Sequence, residues 1–421
     1  MSEQEKKGLV PERRFPEFRD KGVWKLKTLG AVFTSVANGL SLEQKNDNAG
    51  YKVTRIETIS DKSIDINKVG YVLTEQDISA HRLCIGDILF SNINSISHIG
   101  KVAFVDRDYD LYHGMNLLRL VPNTKSNSPL FLYYQLNTRR LKSSFEERAN
   151  KAINQASINQ TELKKTILSV PLLVEQQKIA DCLTSIDALI TAQCQKRDGL
   201  KAHKKGLMQQ LFPAEGETLP KLRFPEFRDK GEWKVEQAGF LFSNRVEQGE
   251  DGLPIYSVTM NDGLTRRSSL DRKIDNISDS SGNKKACLHD IVYNMMRMWQ
   301  GASGVVIEDC MVSPAYVVLA PGDEVCADFY GYYFKKPQCL RLLTSHSQGL
   351  TKDRLRLYFK DFAKIPLPCP QVSEQQKIAD CLTSIDELIT AQTQKIEALK
   401  AHKKGLMQQL FPSFGGVAGE A

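Results

Sequence analysis

One stretch of this chain is written twice. Glu175–Pro213 reads EQQKIADCLTSIDALITAQCQKRDGLKAHKKGLMQQLFP and returns as Glu374–Pro412, offset by 199 residues, with 34 of 39 positions identical. The exceptions are Ala188/Glu387, Cys194/Thr393, Arg197/Ile396, Asp198/Glu397 and Gly199/Ala398. In the first copy Ile179, Leu183, Ile186, Ile190, Gln193, Arg197, Leu200, Lys204, Leu207 and Leu211 alternate four and three residues apart. That is an unbroken heptad a/d seam. The second copy repeats it as Ile378, Leu382, Ile385, Ile389, Gln392, Ile396, Leu399, Lys403, Leu406 and Leu410. A seam this narrow predicts two long helices that pair with each other rather than lie on a broad domain core. Polar residues in mid-seam cost stability and fix register. At about 1.5 Å per residue each helix would span about 55 Å. The chain must cross a globular region between the end of one helix and the start of the next, so antiparallel pairing is expected. Such a pair would hold two heads at opposite ends, about a pseudo-twofold axis.

Pro213 and Pro412 stop both helices. Ser373 with Gln376 predicts a capping box on the second helix, whereas the first has Val174 in place of the serine. Gly206 and Gly405 interrupt the pattern at a cost of about 1 kcal/mol each relative to alanine, which suggests a close backbone approach.

A shorter repeat precedes each head: Arg14–Lys25 reads RFPEFRDKGVWK and Arg223–Lys234 reads RFPEFRDKGEWK. The expected division is a first head at 1–173, a central repeat helix at 174–213, a second head at 214–372, a C-terminal repeat helix at 373–412 and a disordered tail at 413–421. Strand-like runs at Asp87–Ser91, Asp290–Asn294, Val312–Leu319, Lys101–Val105 and Tyr71–Thr74 predict α+β heads with sizeable β content. Leu130–Asn137 and Asp328–Phe334 are aromatic-rich and compatible with helix or strand.

The 421 residues suit two domains with connectors. Apolar content of 41% and charged content of 25% are those of a soluble globular protein. The formal charge of +7 leans toward an acidic partner. No apolar run is long enough for a membrane span, and MSEQEKKGLVPERR has no signal-peptide core. The nine cysteines form no C-x-x-C pair and read as reduced thiols in a cytoplasmic protein.

No catalytic motif survives inspection. Gly100-Lys101-Val102 lacks the rest of an ATP-binding loop. Ser313-Pro314-Ala315-Tyr316 is similar to the base-holding element of amino-methyltransferases, but it lacks the second proline and an accompanying glycine-rich loop, so a buried strand is expected there. Glu43-Gln44-Lys45 and Asp271-Arg272-Lys273 are common chance triplets. The histidines show no metal spacing, and the chain is expected to bind no metal or cofactor.

Were that acidic partner a nucleic acid, base reading would need Arg, Lys, Asn or Gln at the grooves, whereas phosphates would need only cations. Candidates in the first head are Asn92, Asn94 and His98 after a strand, the amide-rich stretch with Asn154 and Gln155, and Arg139 and Arg140 as phosphate binders. In the second head they are Arg266, Arg267, Lys284, Lys352, Arg354, and Arg297 within MMRMWQG. Arg297 is flanked by Met295, Met296, Met298 and Trp299, which would stiffen its guanidinium; the plain alternative is a core strand with one snorkelling arginine.

The whole pattern resembles the specificity subunit of type I DNA restriction–modification systems. The residues that carry the resemblance are Ile365-Pro366-Leu367-Pro368 leading into Ser373–Ile378, Val170-Pro171 leading into Glu175–Ile179, the duplicated helices, and Gly86-Asp87-Ile88-Leu89-Phe90. The second head departs at His289 for Gly86, and at Ala238-Gly239 for Leu29-Gly30. The resemblance implies a non-catalytic subunit whose two target-recognition domains each read half of a split double-stranded DNA site. It implies that the paired helices set the gap and dock two modification subunits. Those subunits would methylate adenine with S-adenosylmethionine, and restriction subunits would add ATP- and Mg-dependent cleavage. The alternative class is a protein-interaction scaffold without direct DNA reading.

Overall fold

The computed structural model describes residues 9–46, 48–60, 63–95, 98–152, 155–260, 263–269, 282–351 and 354–412. The tail expected to be disordered, 413–421, lies outside them. The chain forms two compact units: residues 1–194 with 395–421, and residues 195–394. Each long helix, Leu173–Gln210 and Val372–Leu410, therefore contributes one half to each unit.

In the first unit a four-stranded antiparallel sheet runs in the order Phe33–Asn38, Leu118–Pro122, Ile88–Phe90, Val102–Phe104. In the second unit the same order recurs as Phe242–Arg245, Tyr316–Pro321, Ile291–Asn294, Ser303–Val305. Beyond this shared sheet the heads differ. The first adds two-stranded ladders (Tyr51–Thr54 with Val69–Val72, and Ile59–Ser60 with Ser63–Ile64). The second adds a sheet ordered Gly263–Arg266, Ile255–Thr259, Cys310–Val312, Lys284–Ala286. The aromatic runs are helices, Pro129–Leu136 and Ala327–Tyr333. The expected strand at Val312–Leu319 is two strands, because Ser313-Pro314-Ala315 makes a turn in which Tyr316 N–H bonds Ser313 O at 3.0 Å. The base-holding look-alike is thus that turn and not a buried strand.

The sequence departures leave the backbone unchanged. Gly86 has φ +96° and His289 φ +72°, and their N–H groups bond Val105 O and Val306 O at 2.9 Å each. Leu29–Val32 and Ala238–Leu241 are equivalent short helices.

The short repeat builds a socket for each long helix. Proline opens the 3-10 turn Pro16–Phe18, and Gly22 adopts φ +76°. Arg14 then grips Gly22 O at 2.6 Å and both carboxylate oxygens of Glu175 at 2.7 Å. Trp24 Nε1 donates to Glu175 at 3.2 Å. The second socket repeats this with Arg223, Gly231 O and Glu374. There, however, Trp233 Nε1 is buried without a partner among the described residues. In both sockets the next side chain ties the head to the helix start. Gln176 accepts from Ser128 N–H at 2.9 Å and donates to Pro171 O at 3.0 Å. Gln375 accepts from Cys326 N–H and donates to Pro370 O, both at 2.8 Å.

This arrangement displaces the expected capping box. Glu374 and Gln375 N–H both bond Gln371 O, so Ser373 lies inside the first turn, and Gln376 donates instead to Asp380. The glycines also differ from expectation: a Cβ at Gly206 or Gly405 would meet nothing within 4 Å, so neither marks a close approach.

All twenty seam residues are buried or half-buried. Pairing is antiparallel within each unit. In the first, Lys403 Nζ bonds Asp187 at 2.5 Å and lies 5.0 Å from the Tyr134 ring centroid, while Tyr134 Oη donates to Asp187 at 2.8 Å. Further along, Leu406, Met407, Leu410 and Phe411 join the core that holds Ile179 and Leu183. In the second unit Lys204, Asp386 and Tyr332 form the same triad, and Leu207, Met208, Leu211 and Phe212 join the core with Ile378 and Leu382. Each head's aromatic core is thus completed from the end of a long helix. Phe411 lies 6.4 Å from Trp24 and 5.4 Å from Phe131, and Phe212 lies 6.5 Å from Trp233 and 5.0 Å from Phe329.

Phe411→Ala should therefore destabilise the first unit by roughly 3–5 kcal/mol, although residue 411 follows the whole second head in sequence. Phe212→Ala should do the same to the second unit. Hydrogen exchange resolved by head checks this; loss of protection in the second head from Phe411→Ala, or in the first from Phe212→Ala, would contradict the packing. A second expectation concerns pH. His113 is 2% exposed, and its Nε2 donates to Leu117 O at 2.9 Å. Burial pushes its pKa from 6.5 down to about 4. Between those values the unfolded chain binds a proton that the folded head refuses. The stability is therefore full above about 6.5 and is lost as pH falls toward 4. The melting temperature of the first unit should fall across this window, and less steeply in His113→Gln; equal slopes would contradict the assignment.

Candidate nucleic-acid interface

In each head an inner strand of the shared sheet leads into a loop, polar in the first head and Met- and Trp-flanked around Arg297 in the second, and an aspartate fixes the turn before the strand. Asp87 accepts from Cys84 N–H at 2.7 Å and pairs with Arg119; burial raises its carboxyl pKa against these two stabilising contacts. Asp290 accepts from Cys287 N–H and holds Arg245, whose pKa it raises. The loop thus starts from a strand whose ends are pinned by charge.

In the first head the strand Ile88–Phe90 leads to Asn92, whose carbonyl accepts from Ile158 N–H at 2.9 Å. Beyond it, Ile93 and Asn94 pair with Ser157 and Ala156, and Ala152 pairs with Gln155. Two amide-rich stretches far apart in sequence therefore share one small ladder, which brings Asn94 and Gln155 into it. Asn154 lies outside the described residues. The Asn92 side chain is buried, and its Oδ1 has no partner among the described residues. His98 is exposed, with Nδ1 2.8 Å from Ser95 Oγ. Arg139 is exposed at the start of the helix Arg139–Arg148. Arg140 is half-buried and donates to Ile167 O at 3.2 Å; burial lowers its pKa to about 10, so it stays cationic at neutral pH.

The second head repeats the arrangement with different side chains. Leu357 N–H bonds Met295 O at 3.0 Å, as Ile158 bonds Asn92 in the first head, and Gln348 and Arg356 exchange backbone bonds at 2.9 and 2.8 Å. The loop carrying Arg297 thereby lies against the hairpin carrying Arg354; Lys352 lies outside the described residues. Arg297 and Arg354 are exposed. The segment around Arg297 is no core strand: Met298–Gln300 is a 3-10 turn.

Of the other three candidate cations of this head, Arg266 and Lys284 lie in its additional sheet and Arg267 opens the 3-10 turn Arg267–Ser269 that follows it. Arg266 is paired with Glu308 at 2.5 Å and bonds Tyr256 Oη. Arg267 is half-buried and bonds Ser257 Oγ at 3.4 Å. Lys284 donates to Tyr316 O at 2.8 Å, and burial lowers its pKa. Among the described residues no group of His, Cys, Asp and Glu is placed to hold a metal.

The residues that tie each helix to its head had gone unrecognised: Glu175 and Gln176, with Glu374 and Gln375, are buried. Their signal was the short repeat RFPEFRDKG, whose first arginine bonds both the glycine carbonyl and the buried glutamate in each socket. The outward residues of the repeat are indeed exposed. Gln177 bonds Asp181, and Lys178 pairs with Glu17; Gln376 and Lys377 do the same with Asp380 and Glu226. Leu189 and Leu388, at equivalent positions, are exposed as well.

Comparison with known proteins gives a consistent picture. The sequence pattern described as Methylase_S, type I restriction modification DNA specificity domain, matches twice, over residues 22–202 and 211–401. A Methanocaldococcus jannaschii protein provisionally named type I restriction enzyme MjaX specificity subunit is 32% identical over 415 residues, covering 92% of each chain. The type I restriction enzyme MjaVIII specificity subunit of the same organism is 25% identical over 323 residues, 70% of this chain and 72% of that one. Among solved structures, the type I restriction–modification S subunit from M. genitalium superposes with a TM-score of 0.57 at 14% identity, covering 96% of this chain and all 100% of that one. A chain from a structure described as the basis of complex assembly and conformational transition of the type I R-M system gives a TM-score of 0.52 at 18% identity, covering 93% and 98%.

Proposed function

The chain belongs to the type I restriction–modification DNA specificity family, and from that premise we propose that its two heads read the two halves of a split double-stranded DNA site. It is a specificity subunit, a non-catalytic component of a restriction–modification complex. The observation that carries the division of labour is the contrast within each repeat. Sheet, socket and long helix are the same twice, whereas the loop–hairpin surface is amide-rich in the first head and arginine-bearing in the second.

The remaining assignments follow from this reading. The paired helices set the unspecified gap between half-sites. The matching outward residues of the two helix repeats offer equivalent seats to two modification subunits, and restriction subunits join the same assembly. S-adenosylmethionine for adenine methylation, and ATP and Mg for cleavage, would be held by those partners and not by this chain. No helix among the described residues is long and apolar enough to cross a membrane, which fits work on DNA in the cytoplasm. In the first head Asn94, His98, Asn154 and Gln155 would serve the reading surface, with Arg139 and Arg140 on phosphates; Asn92, whose side chain is buried, would support the loop from beneath. In the second, Arg297, Lys352 and Arg354 would serve it, with Arg266, Arg267 and Lys284 on its flank.

Exchanging the second head for an unrelated one should change one half of the methylated sequence and leave the other half intact. If both halves changed, one head would not read one half. Inserting whole heptads at matched places in both helices should lengthen the gap without altering either half. A gap that stayed the same would show that the helices are not the spacer. Phosphate contacts also require that binding weaken as salt rises.

A further inference from the structure

We propose that Arg297 reads a guanine in the half-site of the second head, while Arg354 and Arg356 hold the adjacent phosphates; this rests on the DNA-reading assignment above. Most cations of the second head are already engaged. Arg245 is tied to Asp290 and Glu247, Arg266 to Glu308, Lys285 to Glu250 and Arg341 to Glu215. Arg297, Arg354 and Arg356 are exposed, and their side chains make no hydrogen bond or ion pair among the described residues. They also share one surface. The Met295 O bond to Leu357 N–H and the Gln348–Arg356 backbone pair join the loop of the first to the hairpin of the other two.

What separates Arg297 from its neighbours is the rigidity of its backbone. Its N–H bonds Asn294 O at 3.0 Å, and its carbonyl accepts from Gln300 at 3.0 Å and Ala302 at 3.2 Å. Met296 N–H bonds Asn294 Oδ1 at 3.0 Å, and Trp299 Nε1 bonds Met296 O at 3.1 Å. Met298 is wholly buried beneath the turn, and Gly301 closes it at φ +85°. None of these bonds uses the guanidinium, so the loop holds the Cα in place and leaves the planar donor fork facing solvent. Such a fork matches O6 and N7 of guanine with two hydrogen bonds, and an immobilised backbone lowers the entropy lost on making them. Arg354 N–H bonds Thr351 O at 2.9 Å and Arg356 exchanges two backbone bonds with Gln348, so these two are held by backbone bonds alone, whereas the turn of Arg297 is also closed by the side chains of Asn294 and Trp299. A phosphate requires only their charge.

The test uses the full chain assembled with its modification subunits and a pool of randomised duplexes, sequenced after capture. The wild-type assembly must first enrich a split site; if it enriches none, the DNA-reading assignment itself fails, whatever Arg297 does. Given a split site, Arg297→Gln and Arg297→Ala should each lose the preference for one G·C pair in the second half, by roughly tenfold to a hundredfold, with the first half retained. Arg354→Gln and Arg356→Gln should weaken all duplexes alike and reduce the salt slope by about one each. The proposal is overturned if Arg297→Gln keeps the G·C preference, or if the lost preference is for an A·T run, which would mean reading of groove width. Loss of both half-sites would also overturn it, since Arg297 would then support folding.

Discussion

Each unit depends on a carboxylate that is almost wholly buried at the first turn of a long helix. Glu175 and Glu374 are at most 1% exposed, a placement that costs several kcal/mol unless the charge is met in full. It is met by a bidentate arginine, itself fixed by a glycine carbonyl. This pairing settles where the helix starts, which way it leaves the head and which residues face its partner. A neighbouring glutamine ties in the head's own backbone, so head and helix form one cooperative body.

The second consequence is that each unit contains parts of both long helices, and that the first unit is not a continuous stretch of chain. The seam predicted pairing, and pairing delivers Phe411 to the first head and Phe212 to the second. A lysine–aspartate–tyrosine triad marks each point where the helix halves meet a head. The repeats supply one side of each of these contacts, and head residues at equivalent places, Ser128 and Cys326, Tyr134 and Tyr332, Phe131 and Phe329, supply the other.

The parts of this organisation that were legible in the sequence are those governed by periodicity. All twenty heptad positions are protected, and strands Ile88–Phe90 and Ile291–Asn294 lie where their apolar runs place them. Hydrogen-bond accounting was less legible. Ser373 and Gln376 have the spacing of a cap, yet the helix starts one residue before Ser373, because Gln375 satisfies the preceding carbonyl. A buried glutamine beside an exposed one looks identical in sequence. Ser313-Pro314 read as strand because the residues on either side are β-branched, whereas the proline breaks the ladder. The convergence of Asn94 with Gln155, and of Arg297 with Arg354, depends on strand pairing across more than fifty residues, which no local pattern encodes.

The central claim is that two heads, held by one helix pair, read one split site. Its most direct test is to map methylated adenines across a genome in cells with and without this subunit. The account predicts that the subunit-dependent adenines fall in one sequence of two defined halves separated by an undefined gap of constant length. A single contiguous sequence, or two halves at variable spacing, would contradict it.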